Sequence, residues 1–393
     1  MPVTAVPVLH VITRLDRGGS ADNTLLTAAR LSRERFAVSL ATGPSPQAGG
    51  AAWEEVRGRG LPVLAVPHLV RPLRPLADVR ALRELVALMR RGRYRLVHTH
   101  TSKAGFLGRL AAALLRVPAV VHTPHGHVFY GYHGRLLTAL FVGAERWAAI
   151  HTDRLVALTP REVRDHLELG IGTAARFRVV HSGVDLEALA VDAGTGLRTR
   201  AELGLPASSV VVGTVGRLTA VKGQVDLVAA VAALGDPRIR LLLVGDGEER
   251  ASLTARAAAL GVRDQVCFAG WRADVPRLLA AMDIFVLPSY NEGMGRALVE
   301  AMGSGLAVIA TAVGGVPAVV DSGVDGLLVR PRAPSELAAA IALLATDPAG
   351  RQRLGLQARV KAQHFSVAAM VRAIETMYVE LIEEKQRAAT API

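Results

Sequence analysis

Cysteine is almost absent from this chain of 393 residues: Cys267 stands alone. No intrachain disulfide can form, and no zinc site can be built on cysteines. Aromatic residues make up 4%, too few for an aromatic-rich β-sandwich. No basic n-region or small-residue cleavage site marks Met1–Ile12, so this apolar start reads as a first buried strand. The longest uncharged stretch, 301–320, is broken by Gly303, Gly305, Gly314, Gly315 and Pro317. It reads as a strand with turns and not as a membrane helix. The chain is expected to be soluble and intracellular. There is no short-period repeat, low-complexity tract, P-loop, G-x-G-x-x-G or Asp-x-Asp motif.

What is present is apolar material: 51% hydrophobic against 20% charged residues, which excludes general disorder. Strand-like apolar runs alternate with helical patterns in both halves. In the first half the strands are 6–12, 36–42, 61–66, 96–100, 119–123, 154–159 and 177–181. In the second they are 210–215, 240–244, 266–268, 284–287, 307–310, Val319 with Val320, and 326–329. Strands separated by helices predict parallel sheets built from βαβ units. The fold class is therefore α/β, with two doubly wound, Rossmann-like domains. The N-terminal domain is placed at 1–190 and the C-terminal domain at 191–393, with 191–206 as the connection. The final helix, about 367–384, is expected to pack back on the N-terminal domain. Such folds bind ligands at the carboxyl ends of their strands, so the expected site is the cleft in which the two domains face each other.

The charge is lopsided. Of the net +12, residues 1–190 carry +11, from 25 Lys and Arg against 14 Asp and Glu. An anionic partner for that half is implied. Arginines concentrate between Arg71 and Arg95 on a helix whose apolar positions Val79, Leu82, Val86 and Met89 recur at helical spacing. This stretch suits an anionic membrane surface; a plain solvated face is the rival reading. Nucleic acid is not expected, because aromatic interleaving and a reading helix are missing.

Several residues could carry chemistry. Gly18-Gly19 lies between a strand and a helix, where backbone N–H groups can meet an anion; a plain tight turn would look the same. Arg217 and Lys222 flank the loop after a second-half strand and suit a diphosphate, though a solvated charge pair would share the pattern. Gly245 ends another strand, where a ribose or base could lie over the backbone. In Glu292-Gly293-Met294-Gly295-Arg296-Ala297-Leu298-Val299-Glu300 a loop carboxylate precedes a helix carboxylate. Both could accept hydrogen bonds from hydroxyls; two surface glutamates is the alternative. Six of twelve histidines fall between His98 and His133. Strand alternation puts His98 and His100 on one face, as metal binding would require. With no cysteine nearby and no His-Glu-x-x-His, strand-end histidines binding sugar or phosphate are the better reading, so no metal is expected. His125 is the leading candidate, with His127 behind it. Lys103 could face an acceptor or a phosphate, with a helix cap at Ser102 as the rival.

Together these motifs resemble the family 4 glycosyltransferases, retaining enzymes of GT-B fold. Glu292 to Glu300 matches that family's E-x7-E segment, Arg217 and Lys222 its diphosphate pair, and Gly18-Gly19 its N-terminal glycine loop. His125-Gly126 matches its histidine after a central strand, and Ser182-Gly183-Val184-Asp185 the end of its first domain. Met294 stands where Phe is frequent, and Ser20-Ala21-Asp22 replaces the usual small residue and Glu.

The resemblance implies transfer of a glycosyl group from a nucleoside-diphosphate sugar with retention. Glu292 would hold donor-sugar hydroxyls and Glu300 the ribose. Arg217 and Lys222 would neutralise the leaving diphosphate. His125 would sit by the donor sugar. Neither metal nor cofactor is implied, since the nucleotide sugar is a substrate. The expected acceptor is a lipid-linked or cell-envelope glycan, in polysaccharide biosynthesis at the cytoplasmic face of a membrane. A nucleoside-diphosphate-sugar epimerase of the same architecture, or an inactive nucleotide-sugar-binding partner, are the alternatives.

Overall fold

A computed structural model describes residues 5–16, 18–125 and 134–390. The chain divides into two compact units, Met1–Gly183 with Val367–Ile393, and Val184–Ser366. In unit 1 the strands are β1 (Val6–Ile12), β2 (Phe36–Thr42), β3 (Val63–Ala65), β4 (Leu96–His100), β5 (Ala119–Thr123), β6 (Arg154–Ala157) and β7 (Phe177–Val179). Between them run α1 (Gly19–Arg30), α2 (Ala51–Gly58), α3 (Pro75–Gly92), α4 (Ser102–Leu114), α5 (Arg135–Ile150) and α6 (Pro160–Glu168). Unit 2 begins its helices with α7 (Thr195–Glu202). It continues through β8 (Val210–Val215), α8 (Gln224–Leu234), β9 (Ile239–Val244), α9 (Arg250–Ala259) and β10 (Val266–Gly270). Then come α10 (Val275–Ala280), β11 (Ile284–Leu287), α11 (Arg296–Gly303), β12 (Ala307–Thr311), β13 (Leu327–Val329), α12 (Pro334–Thr346) and α13 (Pro348–Ala362). The chain returns to unit 1 with α14 (Val367–Thr390).

Every strand pair is parallel. Helices cover both faces, so the strands are apolar on both sides. Unit 1 has strand order β3-β2-β1-β4-β5-β6-β7, and unit 2 has β10-β9-β8-β11-β12-β13. Each order reverses once, between β1 and β4 and between β8 and β11. At such a reversal the loops leave the sheet in opposite directions and open a crevice at the carboxyl ends of the strands.

In unit 1, Val8, Ile12, Leu96 and Val121 pack on one side of the sheet with α14. Leu9, Val11, Val97 and Val120 pack on the other with Leu85 and Met89 of α3 and Ala111 of α4. Buried Met370, Val371, Ile374, Met377, Tyr378 and Leu381 recur at helical spacing along α14. Glu375 Oε1 of α14 accepts from the Ser32 amide at 2.6 Å, and Lys385 pairs with Asp153 at 2.5 Å.

The observed boundaries differ from the sequence reading at several points. The chain leaves unit 1 after Gly183 and not at residue 190. Val184 is buried in unit 2, and Leu186 closes over Gly303, where an added Cβ would lie 2.6 Å from its Cδ2. Residues 191–206, read as a connection, contain α7. That helix is anchored by buried Arg200, which donates to Asp283 at 2.7 Å and to the Ala281 carbonyl at 2.8 Å. Val319 and Val320 are not a strand; they follow a single 3-10 turn at Val316–Ala318. Helix α1 starts at Gly19, earlier than expected, so Gly19 is helical and not part of a turn. Val79 does not join the packed face of α3, which is formed by Ala81, Leu85 and Met89. Among the described residues no helix is long and apolar enough to cross a membrane.

Candidate active site

In unit 2 the sequence candidates collect at the reversal between β8 and β11. Arg217 stands two residues beyond the end of β8; its side chain is exposed and has no acidic partner among the described residues. Its carbonyl accepts from Gln224 Nε2 at 3.0 Å, which ties the loop to the start of α8. Lys222 Nζ contacts Glu292 Oε1 across seventy residues of sequence. The same carboxylate oxygen accepts from Ser289 Oγ at 2.9 Å. Lys222 and Glu292 are each partly buried, so their charges are screened less than a surface pair would be.

Close backbone contact brings them together. The Tyr290 amide donates to the Val221 carbonyl at 2.8 Å, joining the two loops. Gly223 adopts φ +66°, and a Cβ there would lie 2.1 Å from the Pro288 carbonyl oxygen. Gly314 adopts φ +55°, and its Cβ would lie 1.7 Å from the Glu292 carbonyl oxygen. A side chain at either position would push Lys222 and Glu292 apart. Gly245 packs equally closely, on the Gly216 carbonyl, which its Cβ would meet at 2.0 Å.

The remaining candidates of this segment divide. Gly293 is exposed with open space where a Cβ would stand. Gly295 precedes α11 in the left-handed conformation. Met294 is buried in the hydrophobic core beside Leu287 and Leu298, so packing accounts for it without a ligand. Glu300 stands on α11, where its Oε1 accepts from Arg296 Nε at 3.1 Å, one turn earlier. It is the fifth residue of that helix.

Sequence reasoning missed Tyr290. The Arg332 guanidinium lies 4.0 Å from its ring centroid. Burial, then hydrogen bonding to Asp226, pushes its phenol up to about 12. Tyr290 thus stays neutral beside Lys222 and Glu292. No local motif marks it, because Arg332 and Asp226 come from distant segments.

In unit 1, Gly18, Gly19 and Lys103 lie at the reversal between β1 and β4, and His125 lies one strand further on, after β5. Gly18 is extended and Gly19 opens α1. The nearest atom to a Cβ on Gly18 is 3.9 Å away, and none lies within 4 Å at Gly19. Neither backbone angles nor described neighbours require glycine there. Lys103 is already engaged: its Nζ pairs with Asp78 Oδ1 at 2.6 Å and also meets the Pro72 carbonyl, which joins α4 to α3. Ser102 is not the cap of α4 but its first residue; Thr101 precedes it at φ +63°, its hydroxyl 2.9 Å from that of Thr13. His127 lies outside the described residues.

His125 follows β5 with φ +58°, uncommon for a residue with a side chain. Its Nε2 is 2.9 Å from His100 Nδ1, and the rings stack at 5.1 Å. Burial pushes His125 and His10 down to about 3 and lowers His98, His100 and His122 well below 6.5. His125 is therefore a neutral imidazole at pH 7. The ligand nitrogens of His10, His98 and His100 lie within 4.8 Å of one another, close enough to surround a metal ion. However, all six ring nitrogens of this trio already have hydrogen-bond partners: one another, Tyr378, Thr123 or His125. That arrangement is a line of hydrogen bonds, and a metal would have to break it.

Comparison with known proteins gives the same frame. Residues 17–188 match Glycosyltransferase Family 4, and residues 197–361 match Glycosyl transferases group 1. The chain is 34% identical over 270 residues to UDP-Gal:alpha-D-GlcNAc-diphosphoundecaprenol alpha-1,3-galactosyltransferase of Escherichia coli, covering 67% of this chain and 70% of that protein. It is 31% identical over 389 residues to D-inositol 3-phosphate glycosyltransferase of Corynebacterium glutamicum, covering 93% of each. The crystal structure of Anabaena Alr3699/HepE in complex with UDP-glucose superposes with a TM-score of 0.79 at 26% identity, over 95% of this chain and 99% of that one. The glycosyltransferase WaaG, at 20% identity and a TM-score of 0.71 over 93% of this chain and 97% of that one, shares the fold. With two doubly wound sheets and these relatives, the chain belongs to the family 4 glycosyltransferases and is a nucleotide-sugar-binding glycosyltransferase of GT-B fold.

Proposed function

We propose that this protein transfers a hexose from a UDP-sugar, with retention at the anomeric carbon, to a lipid-linked diphosphate glycan at the cytoplasmic face of a membrane. The observation that carries the reading is the contact of Lys222 with Glu292 at the carboxyl ends of β8 and β11, with exposed Arg217 in the same β8–α8 loop as Lys222. Negative charge grows on the diphosphate as the glycosidic bond breaks. Cations held in place before the reaction stabilise that charge without reorganising, and losing one such group typically costs about 3–4 kcal/mol of barrier. Arg217 can grip the diphosphate as a fork and Lys222 as a point charge. Glu292, released from Lys222 when phosphate arrives, accepts hydrogen bonds from the sugar hydroxyls, while Glu300 takes the ribose. Gly293, with open space where a Cβ would stand, leaves room for the sugar. His125 contributes a neutral imidazole at the donor sugar. Gly18 and Gly19, where the fold itself needs no glycine, leave room for ligand against backbone. In this scheme the protein's own cations do the work that a metal would do, and no cofactor enters.

The relatives support the choice of substrates. The E. coli protein is named for UDP-Gal and a diphosphoundecaprenol acceptor, and Alr3699/HepE binds UDP-glucose. Helix α3 and the residues just before it support contact with a bilayer. Leu73, Leu76 and Val79 are 63%, 81% and 50% exposed, among exposed Arg71, Arg74, Arg80 and Arg83. Apolar side chains flanked by arginines suit an anionic lipid surface, at about 1 kcal/mol for each basic residue near it.

The test is transfer of labelled hexose from UDP-galactose and UDP-glucose to diphospholipid-linked GlcNAc, with EDTA present and absent. Product with the α-linkage, unaffected by EDTA, is expected. Epimerised donor without any acceptor, or transfer that stops with EDTA, would overturn the reading.

A further inference from the structure

A continuous line of hydrogen bonds runs through the buried side of the unit 1 sheet, and the chemistry proposed above makes no use of it. Thr123 Oγ1 lies 2.7 Å from His98 Nε2, and His98 Nδ1 lies 2.5 Å from the Tyr378 hydroxyl. That hydroxyl is 3.4 Å from His10 Nε2, the longest link. His10 Nδ1 is 3.0 Å from His100 Nε2, and His100 Nδ1 is 2.9 Å from His125 Nε2. The line ends at His125 Nδ1, which is buried and has no partner among the described residues. Strand alternation creates this arrangement: His10, His98 and His100 all point to the α14 side, and α14 delivers Tyr378.

A neutral imidazole has one donor nitrogen and one acceptor nitrogen. In an unbranched line, each ring therefore fixes the next. If the Tyr378 hydroxyl donates to one neighbour and accepts from the other, either every hydrogen points toward Thr123 or every hydrogen points toward His125. If it accepts from both His98 and His10, its own hydrogen and the lone pair of His125 Nδ1 are both left without a partner among the described residues. The two directions differ at their ends. If the hydrogens point toward Thr123, its hydroxyl accepts from His98, its own hydrogen meets no acceptor among the described residues, and the lone pair of His125 Nδ1 is also unused. If they point toward His125, Thr123 donates to His98, His98 to Tyr378, Tyr378 to His10, His10 to His100 and His100 to His125. One hydrogen then remains unused, on His125 Nδ1.

We propose that the line runs from Thr123 to His125 and holds His125 in the tautomer with its hydrogen on Nδ1, as a fixed donor to an oxygen of the transferred sugar or its phosphate. Thr123, His98, Tyr378, His10 and His100 are then positioning residues. The proposal rests on the reading of His125 given above. It excludes His125 as a base through Nδ1. The lowered proton affinity of these buried rings agrees with it, because an imidazolium would donate from both nitrogens and break the sequence.

The test is ring-nitrogen NMR of the full chain labelled with 15N-histidine, at pH 7 and without ligand. His10, His98, His100 and His125 are expected to carry hydrogen on Nδ1. Hydrogen on Nε2 of His125, or averaging between tautomers, overturns the proposal. Thr123→Val removes the first hydrogen of the line, and Thr123→Ser keeps it. The valine variant is expected to lose the His125 signature and to lower kcat about ten- to a hundredfold, with serine restoring both. Equal loss in both variants, or none in valine, overturns the proposal. His125→Ala separates the two readings. If UDP release from a UDP-hexose with acceptor stays normal in that variant while the native tautomers are as expected, the role of His125 fails and the line of bonds stands. If His125→Ala is inactive and the native tautomer is wrong, the line fails and the role stands.

Discussion

The two units share an architecture but meet the demands of a binding site differently. Unit 2 brings charge to the end of its sheet: Lys222 and Glu292 touch, and glycines press the loops together. Unit 1 brings neutral rings: His10, His98, His100 and His125 are linked beneath α14 and kept uncharged by burial. Eleven of the twelve histidines lie in unit 1, and only His364 falls in unit 2. Similar folds thus place a pair of opposite charges, the clamp proposed for the donor, in one unit and neutral hydrogen-bonded rings in the other. The charged unit should dominate donor binding and rate. The neutral unit should respond to pH.

The largest effect expected is on catalysis. Lys222→Ala and Glu292→Ala should each lower transfer by about a hundred- to a thousandfold, measured as kcat with saturating donor. A loss below tenfold in both would remove unit 2 from its leading place. Next is the glycine that holds the clamp together. Gly314→Ala sets a Cβ against the Glu292 carbonyl at a positive φ and should destabilise unit 2 by about 1–3 kcal/mol. Hydrogen-exchange mass spectrometry should show this loss in residues 184–366 and leave unit 1 unchanged. Equal loss in both units would mean that they unfold together.

The third prediction concerns pH. Buried His10 has a folded value of about 3 against 6.5 unfolded, and His98, His100, His122 and His125 are lowered as well. Below 6.5 the unfolded chain binds protons that the folded unit refuses. The stability contributed is fully present above 6.5 and is lost as pH falls toward about 3, by about 1.4 kcal/mol per pH unit for each histidine that stays neutral. Denaturant unfolding between pH 7.5 and 5, followed by exchange in each unit, should show a steeper fall in unit 1. The smallest effect is at the surface. Leu76→Asp should weaken binding to vesicles containing phosphatidylglycerol severalfold and leave thermal stability unchanged. Unaltered binding would assign the arginines of α3 to solvent.

Much of this was legible in the sequence because parallel strands are short apolar runs. The boundaries of β4, β5 and β11 agree with the reading residue for residue. Helices α2, α6, α10 and α13 were not recognised. The first two are short and rich in charge, and tertiary contacts stabilise them more than their own pattern does. Helix α7 looked like a linker because its buried residues are Thr195, Thr199 and Arg200, polar groups satisfied by distant partners. Residue types at the candidate site could also be read: loop cations and carboxylates announced themselves by their glycine neighbours. Their meeting could not be read, because it follows from β8 and β11 being adjacent in the sheet. Tyr378 carried no signal either. It joins His98 across 280 residues, and only the docking of α14 on unit 1 reveals the contact.

The division of labour inside the clamp can be measured directly by calorimetric titration of UDP and of UDP-hexose into the native protein, Lys222→Ala and Glu292→Ala. The account predicts that Lys222→Ala weakens both ligands at least tenfold, whereas Glu292→Ala weakens the UDP-hexose and leaves UDP close to native affinity. Native affinity for both ligands in both variants would contradict it.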